Sequence, residues 1–277
     1  TGWTSTAAAG FTGAYPYCMA ARPFANGQPL RVVAGTVAGE VFEFDGSSWT
    51  QIGNLFGGFQ TNDVVIAPPP VFGVPATTNI FAAAAPTSGP CVLEWNGSTW
   101  TTPGGGLPGQ AACMDFSSAS GLLVVGNLVL PSTGPATVAL LDPTSGTWVA
   151  LPDPMPGATA SVVRRMPQSN NPVVFASDPL GNAGIFEFNG TSWTAIASSV
   201  SGGVYAMTTA NTKLLAFGAF SAIQGVAVSA GASWDGTTWA PVSSFNTPVY
   251  GATDFMVDQT VVVGGESRRS VRPSPAP

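Results

Sequence analysis

The chain alternates short apolar runs with Gly, Asn, Asp and Pro punctuation. Residues 203–209 read as a small apolar strand, and residues 213–217 as a second, after an Ala-Asn turn. Residues 226–234 read as a third strand. Residues 238–242 make a fourth, joined to it through Asp235-Gly236. Asp-Gly and Asn-Gly between apolar runs are the strongest short hairpin signal, because both positions tolerate φ > 0. No long stretch combines a helical period with good helix formers. The longest apolar runs, such as residues 121–130, are far short of a membrane span.

The hairpin signal recurs. Phe44-Asp45-Gly46-Ser47-Ser48-Trp49 is followed by Trp95-Asn96-Gly97-Ser98-Thr99-Trp100. Phe188-Asn189-Gly190-Thr191-Ser192-Trp193 and Trp234-Asp235-Gly236-Thr237-Thr238-Trp239 follow the same form. Leu141-Asp142-Pro143-Thr144-Ser145-Gly146-Thr147-Trp148 is a longer variant, and Thr1-Gly2-Trp3 reads as the end of one more copy. The marker tryptophans are Trp3, Trp49, Trp100, Trp148, Trp193 and Trp239, spaced 46, 51, 48, 45 and 46 residues apart. Four antiparallel strands repeating every roughly 40–50 residues are the signature of a β-propeller blade.

The expected architecture is all-β: a single domain over residues 1–277, a six-bladed β-propeller of four-stranded antiparallel blades closed by its N- and C-terminal strands. Five repeats are complete. The sixth blade is shared by residues 1–6 and 244–277, with an inner strand at 251–258, a second at 260–265 and the outer strand from Gly2-Trp3-Thr4. Such closure removes two exposed sheet edges. A longer parent chain with more blades is the rival reading. The basic, Pro-rich tail 267–277 reads as the third strand of that blade around Ser270, or as a linker.

These motifs resemble kelch repeats. Leu141-Asp142-Pro143 through Trp148-Val149-Ala150-Leu151-Pro152 is similar to the kelch turn between third and fourth strands, and Val261-Val262-Val263-Gly264-Gly265 to the kelch double-glycine strand. Ser233-Trp234-Asp235-Gly236-Thr237-Thr238-Trp239 resembles secreted bacterial repeats that end in a Trp-Asp-Gly-x-x-Trp hairpin. The resemblance implies the propeller fold and says little of activity. Most repeats lack the double glycine, and four hairpins are two residues shorter than the kelch spacing. The Asp-box of sialidases separates its Asp and Gly by one residue, whereas here they adjoin. WD-repeat propellers need a Gly-His pair, which this chain cannot supply.

Composition narrows the function. Charged residues make up 8% of the chain, against 45% apolar residues, 34 Gly and 25 Pro. That is ample material for a core and excludes charge-driven disorder. There is no histidine, which removes Ser-His-Asp and Cys-His catalysis and histidine-ligated metals. A copper oxidase site of the galactose oxidase kind is excluded on the same ground. The net charge is −6 and Lys213 is the one lysine, so neither nucleic acid nor an anionic membrane surface is an expected partner. Cys18, Cys91 and Cys113 are odd in number and lack CxxC spacing; they read as small buried hydrophobes and leave the compartment open. Low charge and a Thr/Ser/Gly/Ala-rich surface point to a secreted or cell-surface protein. Thr1 begins inside the repeat pattern, as a mature or trimmed form would.

Every tryptophan is accounted for by the repeat, since Trp95 and Trp234 stand where Phe44, Leu141 and Phe188 stand; all read as blade packing rather than sugar platforms. Asp45, Asn96, Asp142, Asn189 and Asp235 are equivalent turn residues, expected to adopt the left-handed conformation and to bond turn amides. Asn96-Gly-Ser and Asn189-Gly-Thr also fit the N-glycosylation pattern. Glu43, Glu94 and Glu187 form a second equivalent set, expected to bond neighbouring backbone or Arg groups. Asp63, Asp115 and Asp254 lie 14, 15 and 15 residues after their tryptophans. They are candidates for an oxygen-rich ring at one end of the channel, holding a calcium ion; otherwise no cofactor is expected. Tyr15, Tyr17, Tyr205 and Tyr250 stand at the entrances of inner strands, and Arg164 and Arg165 end another. These six are the ligand-binding candidates.

The expected function is non-catalytic binding by a monomeric secreted propeller, with a protein or glycan partner docking on a loop face. A carbohydrate-binding, lectin-like propeller is the alternative. A sialidase-like glycoside hydrolase, needing clustered Arg, Tyr and carboxylates, is the second.

Overall fold

The computed structural model describes residues 15–22, 31–67, 79–242, 245–254 and 261–265. Strands form where the apolar runs were read. The chain divides into two compact units, Thr1–Asp153 with Ala158–Val163, and Pro154–Gly157 with Arg164–Pro277.

The first unit contains three four-stranded meanders. The first is β1 (Pro16–Arg22), β2 (Arg31–Thr36), β3 (Glu40–Phe44) and β4 (Trp49–Asn54). The second is β5 (Thr61–Ile66), β6 (Ile80–Ala84), β7 (Val92–Trp95) and β8 (Trp100–Thr101). The third is β9 (Gly109–Ser117), β10 (Gly121–Leu130), β11 (Gly134–Leu141) and β12 (Trp148–Ala150). A fourth sheet is β13 (Thr159–Arg165), β14 (Pro172–Ser177), β15 (Ala183–Phe188) and β16 (Trp193–Ala197). The second unit continues with β17 (Gly203–Ala210) and β18 (Lys213–Ala219), a small hairpin of β19 (Ala222–Ile223) and β20 (Val226–Ala227), then β21 (Gly231–Trp234) and β22 (Trp239–Pro241). The fifth sheet runs β17-β18-β21-β22. Last come β23 (Val249–Asp254) and β24 (Val261–Gly265), paired antiparallel.

One strand differs from expectation. Residues 226–234 do not form a single third strand. Gln224 (φ 47°) and Gly225 (φ 78°) turn the chain and fold β19 onto β20, and Ala230 (φ 59°) then redirects it into β21. Residues 1–6 and 266–277, on which the shared sixth blade rests, lie outside the described residues.

The marker hairpins hold as read. Trp49, Trp100, Trp148, Trp193 and Trp239 pair directly with Phe44, Trp95, Leu141, Phe188 and Trp234. In the four short hairpins the two rings lie 5.0–5.5 Å apart and tilted, a favourable aromatic geometry. Three of the markers also reach the neighbouring sheet. Trp100 Nε1 donates to the Ile52 carbonyl at 2.8 Å, Trp148 Nε1 to that of Pro103 at 2.9 Å, and Trp239 Nε1 to that of Ile196 at 2.8 Å. The acceptor is always the third residue after the preceding marker. Ile52 and Ile196 are bulged residues of β4 and β16, which frees their carbonyls from the ladder. Close approach is required too, since a Cβ on Gly53 would stand 2.6 Å from Trp100 Nε1.

Apolar side chains fill the space behind these contacts. Val33, Val41, Leu55, Val64, Ile66, Ile80 and Ala82 form one buried cluster, against which Trp95 and Trp100 pack. A second contains Met114, Leu122, Val124, Leu128 and Trp148, with Phe81 and Leu107. Trp100→Phe keeps the ring but strands a half-buried carbonyl, and should cost about 1–3 kcal/mol. Trp100→Ala should cost about 3–5 kcal/mol, and Gly53→Ala about 1–3 kcal/mol through overpacking. Chemical denaturation of the three variants checks this order.

Candidate functional site

The turn residues are structural. Asp45 Oδ1 accepts the Ser47 and Ser48 amides at 2.8 and 2.9 Å, and Asp235 Oδ1 accepts those of Thr237 and Thr238, both at 2.8 Å. Asn96 and Asn189 do the same with their amide oxygens. The left-handed residue is the following glycine, not the Asp or Asn: Gly46, Gly97, Gly190 and Gly236 have φ of 99–103°. That corrects the conformation expected of the acidic position and keeps its bonding role. The turn amides and hydroxyls hold Asp45 down to about 2 and lower Asp142 and Asp235 as well.

The equivalent glutamates are also absorbed. Glu43 pairs with Arg31, Glu94 accepts from Asn79 Nδ2, and Glu187 accepts from Asn171 Nδ2 at 2.9 Å and Ser169 Oγ at 3.2 Å. Each partner lies two residues before the one facing the glutamate across the sheet: Val33, Phe81 and Val173. Burial pushes Glu94 up, against the pull of Asn79.

The first strands β1, β5, β9, β17 and β23 each carry a bulge that defines their register. The bulged residues are Tyr17, Asn62, Ala112, Tyr205 and Tyr250. Three tyrosines therefore share one structural position, which the sequence placed only near strand entrances. All three are exposed, at 59%, 45% and 52%, and Tyr15 beside them in sequence at 79%. Tyr205 and Tyr250 stack face to face, centroids 5.2 Å apart and planes 13° apart. The Tyr205 ring lies over Gly203, where a Cβ would come within 2.7 Å of it.

The three aspartates do not share a level. Counted from the bulge, Asp63 is the first residue after it, Asp115 the third, and Asp254 the fourth. Asp63 Oδ2 already accepts the Met114 amide at 2.7 Å and Oδ1 that of Val64 at 2.8 Å. Among the described residues no group of three His, Cys, Asp or Glu is placed to hold a metal ion. The register is set by bulges rather than by distance from a tryptophan.

Cys18 and Cys113 stand at the same register position as Asp63, and their thiols reach the Thr61 and Val163 carbonyls at 3.3 and 3.8 Å. All three cysteines are free thiols. Burial pushes Cys91 up to about 12 and, with the Asp63 charge, raises Cys18, so neither is a thiolate nucleophile at neutral pH. Arg164 Nε donates to the Met207 carbonyl at 2.8 Å, while Arg165 is buried. Adjacent strand residues point to opposite faces, so the two do not make the arginine cluster a hydrolase would need.

A feature missed in the sequence is a groove of about 610 Å³ beside β18, β22 and β24, lined by Leu215, Phe217, Val242, Phe245, Val261 and Val263. Its lining comes from strands far apart in sequence, which only register brings together.

Antiparallel four-stranded meanders joined in series define a β-propeller. The sequence model of the Rax2 C-terminal beta propeller domain matches residues 81–259, and the chain belongs to that family. No curated protein matches the sequence. Among solved structures, a computationally designed protein, Ika8, is similar in fold at a TM-score of 0.50 and 12% identity, over 91% of this chain and 68% of that one. The kelch likeness remains one of hairpin motifs. Among the described residues no helix is long and apolar enough to cross a membrane.

The turn aspartates give an acid limb to stability. Their folded pKa values lie below the unfolded value of about 3.9, so their contribution is complete above it and fades as pH falls toward about 2. Asn96 and Asn189 show that an amide holds the same turn. The triple variant D45N/D142N/D235N should therefore melt like the parent at pH 7 and lose less stability between pH 4 and 2, as followed by Tm against pH.

Proposed function

We propose that the protein is a non-catalytic interaction propeller of six blades, acting outside the cell as a monomer. Five blades are the described four-stranded meanders. The sixth starts with β23 and β24 and is completed by residues at both ends of the chain. Belonging to a β-propeller family supports the general role, a rigid scaffold that docks partners on its loops.

The observation that carries the reading is the shared position of Tyr17, Tyr205 and Tyr250. A bulge re-aims one side chain per inner strand out of the ladder. In three blades that side chain is an exposed tyrosine, an amphipathic group favoured at recognition surfaces. Asn62 and Ala112 hold the same position in two other sheets.

A carbohydrate ligand is the second reading, favoured by the stacked Tyr205–Tyr250 pair. The marker tryptophans are committed to interblade hydrogen bonds and are poor candidates for it. No cofactor is invoked.

A glycan array with calcium, and again with EDTA, separates the two for the parent and for Y205A/Y250A. Binding lost in the variant establishes the carbohydrate reading. A blank array with covalent capture of a protein through a photoreactive residue at position 250 establishes protein docking. A blank array and no capture at 250 would defeat the tyrosine face. The double variant itself should lose no more than about 0.5–1.5 kcal/mol, the worth of one aromatic pair.

A further inference from the structure

Four short hairpins share one turn, and two of them carry an amide where the other two carry an acid. Asn96 and Asn189 stand where Asp45 and Asp235 stand, and in all four the side-chain Oδ1 takes the turn amides. Three donors converge on that oxygen in each asparagine hairpin. Ser98 N, Ser98 Oγ and Thr99 N each reach Asn96 Oδ1 at 3.0 Å. Thr191 N, Thr191 Oγ1 and Ser192 N reach Asn189 Oδ1 at 3.0, 2.9 and 2.9 Å. The amide nitrogen is held less. Nδ2 of Asn96 makes a 3.3 Å bond to Thr99 Oγ1, and Nδ2 of Asn189 one of the same length to Ser192 Oγ. Both asparagines are exposed. Among the described residues, only these two precede a glycine. The N–H groups of Gly97 and Gly190 donate no hydrogen bond to any described residue. A Cβ on Gly190 would meet nothing within 4 Å, so the space beside that turn is open.

We propose that Asn96 and Asn189 are self-modifying sites, converted to aspartate by the folded hairpin and water alone. Solvent base removes the Gly97 amide proton, and that nitrogen attacks Asn96 Cγ to close a succinimide ring. The carbonyl electron pair moves onto Oδ1, where the three donors stabilise the developing charge as an oxyanion hole does. The pair returns, the Cγ–Nδ2 bond breaks, and Nδ2 leaves as ammonia with a proton from water. Water then adds to Cγ, the bond from Cγ to the Gly97 nitrogen breaks, and that nitrogen regains its proton. The sum is amide plus water giving carboxylate plus ammonium, with no oxidant or reductant. Asn189 and Gly190 follow the same course. Attack by the next residue's nitrogen is intramolecular, and glycine places no side chain over the ring. The product has a precedent in the same chain, because Asp45 and Asp235 hold this turn with the same donors. The turn holds Asp45 down to about 2, so carboxylates at 96 and 189 are charged at neutral pH. Ring opening at the other carbonyl would route the main chain through the side chain and take the acceptor from the turn, so the hairpin opposes that product. Each conversion adds one negative charge to an exposed hairpin and leaves the turn in place.

The full chain, held at mildly alkaline pH both folded and in urea, tests this by peptide mass mapping over time. The folded chain should gain the amide-to-acid mass at 96 and 189 before any other described asparagine, at least as fast as in urea. Ser98→Ala and Thr191→Ala each remove one Oδ1 donor. Each should slow the folded-state reaction at its own site several-fold and leave the rate in urea unchanged. Asn189 is the internal reference for Ser98→Ala, and Asn96 for Thr191→Ala, so a general loss of folding is told apart from a local effect. N96D/N189D should melt like the parent at pH 7 and match the acidic species that the aged protein yields. Conversion in urea with both amides kept in the folded chain would overturn the proposal, since the turn would then shield the site. Folded-state rates indifferent to the hydroxyl donors, or isoaspartate as the main product, would overturn the role given to the turn.

Discussion

One hydrogen bond recurs at three joints: an indole N–H to a backbone carbonyl of the preceding sheet. A four-stranded meander has two apolar faces and cannot bury both alone. Its neighbours must lie close and in a fixed register, and a flat apolar contact sets neither. The marker tryptophan does both. Its ring supplies the largest buried area a side chain can offer, and its single donor admits one acceptor geometry. The bulge at Ile52 or Ile196 releases the carbonyl that the ring needs, and the glycine at 53 allows the approach. Covering the ring costs no unmet polar group, which separates a specific joint from a sticky one.

The rest of each sheet is arranged to leave that joint undisturbed. The Asp-Gly and Asn-Gly turns hold their amides internally, so the hairpin that carries the tryptophan is fixed before it meets a neighbour. The glutamate on the third strand is tied diagonally to Arg31, Asn79 or Asn171. In the third and fifth sheets Leu140 and Ser233 take its place, and no carboxylate needs an anchor there. Among the described residues, the turn aspartates and these glutamates are thus engaged locally. The aromatic surface left on the inner strands is the more informative feature.

Hairpins, markers and the four-strand repeat were legible in the sequence because each is a local signal, complete within six to eight residues. The fifth repeat's third strand was not, since Gln224 takes a left-handed conformation that nothing about Gln announces. The register of the candidate aspartates was hidden for a related reason. Distance from a tryptophan counts residues through loops of unequal length, whereas the side a residue faces is counted from the bulge. The same bulges give Tyr17, Tyr205 and Tyr250 one register position, an equivalence no residue count could reveal. The groove beside β24 was invisible because its walls come from five strands and become a surface only once paired.

The bulged position has a consequence for how such a protein can change. A bulged residue contributes no ladder pair, and in the tyrosine blades its side chain projects from the sheet. Substitution there is decoupled from the interactions that hold neighbouring sheets together. Asn, Ala and Tyr are all tolerated at this address within one chain. Each of the five bulged strands thus offers one interchangeable letter. The exposed surface can change letter by letter while the frame, fastened by its tryptophans, stays as it was.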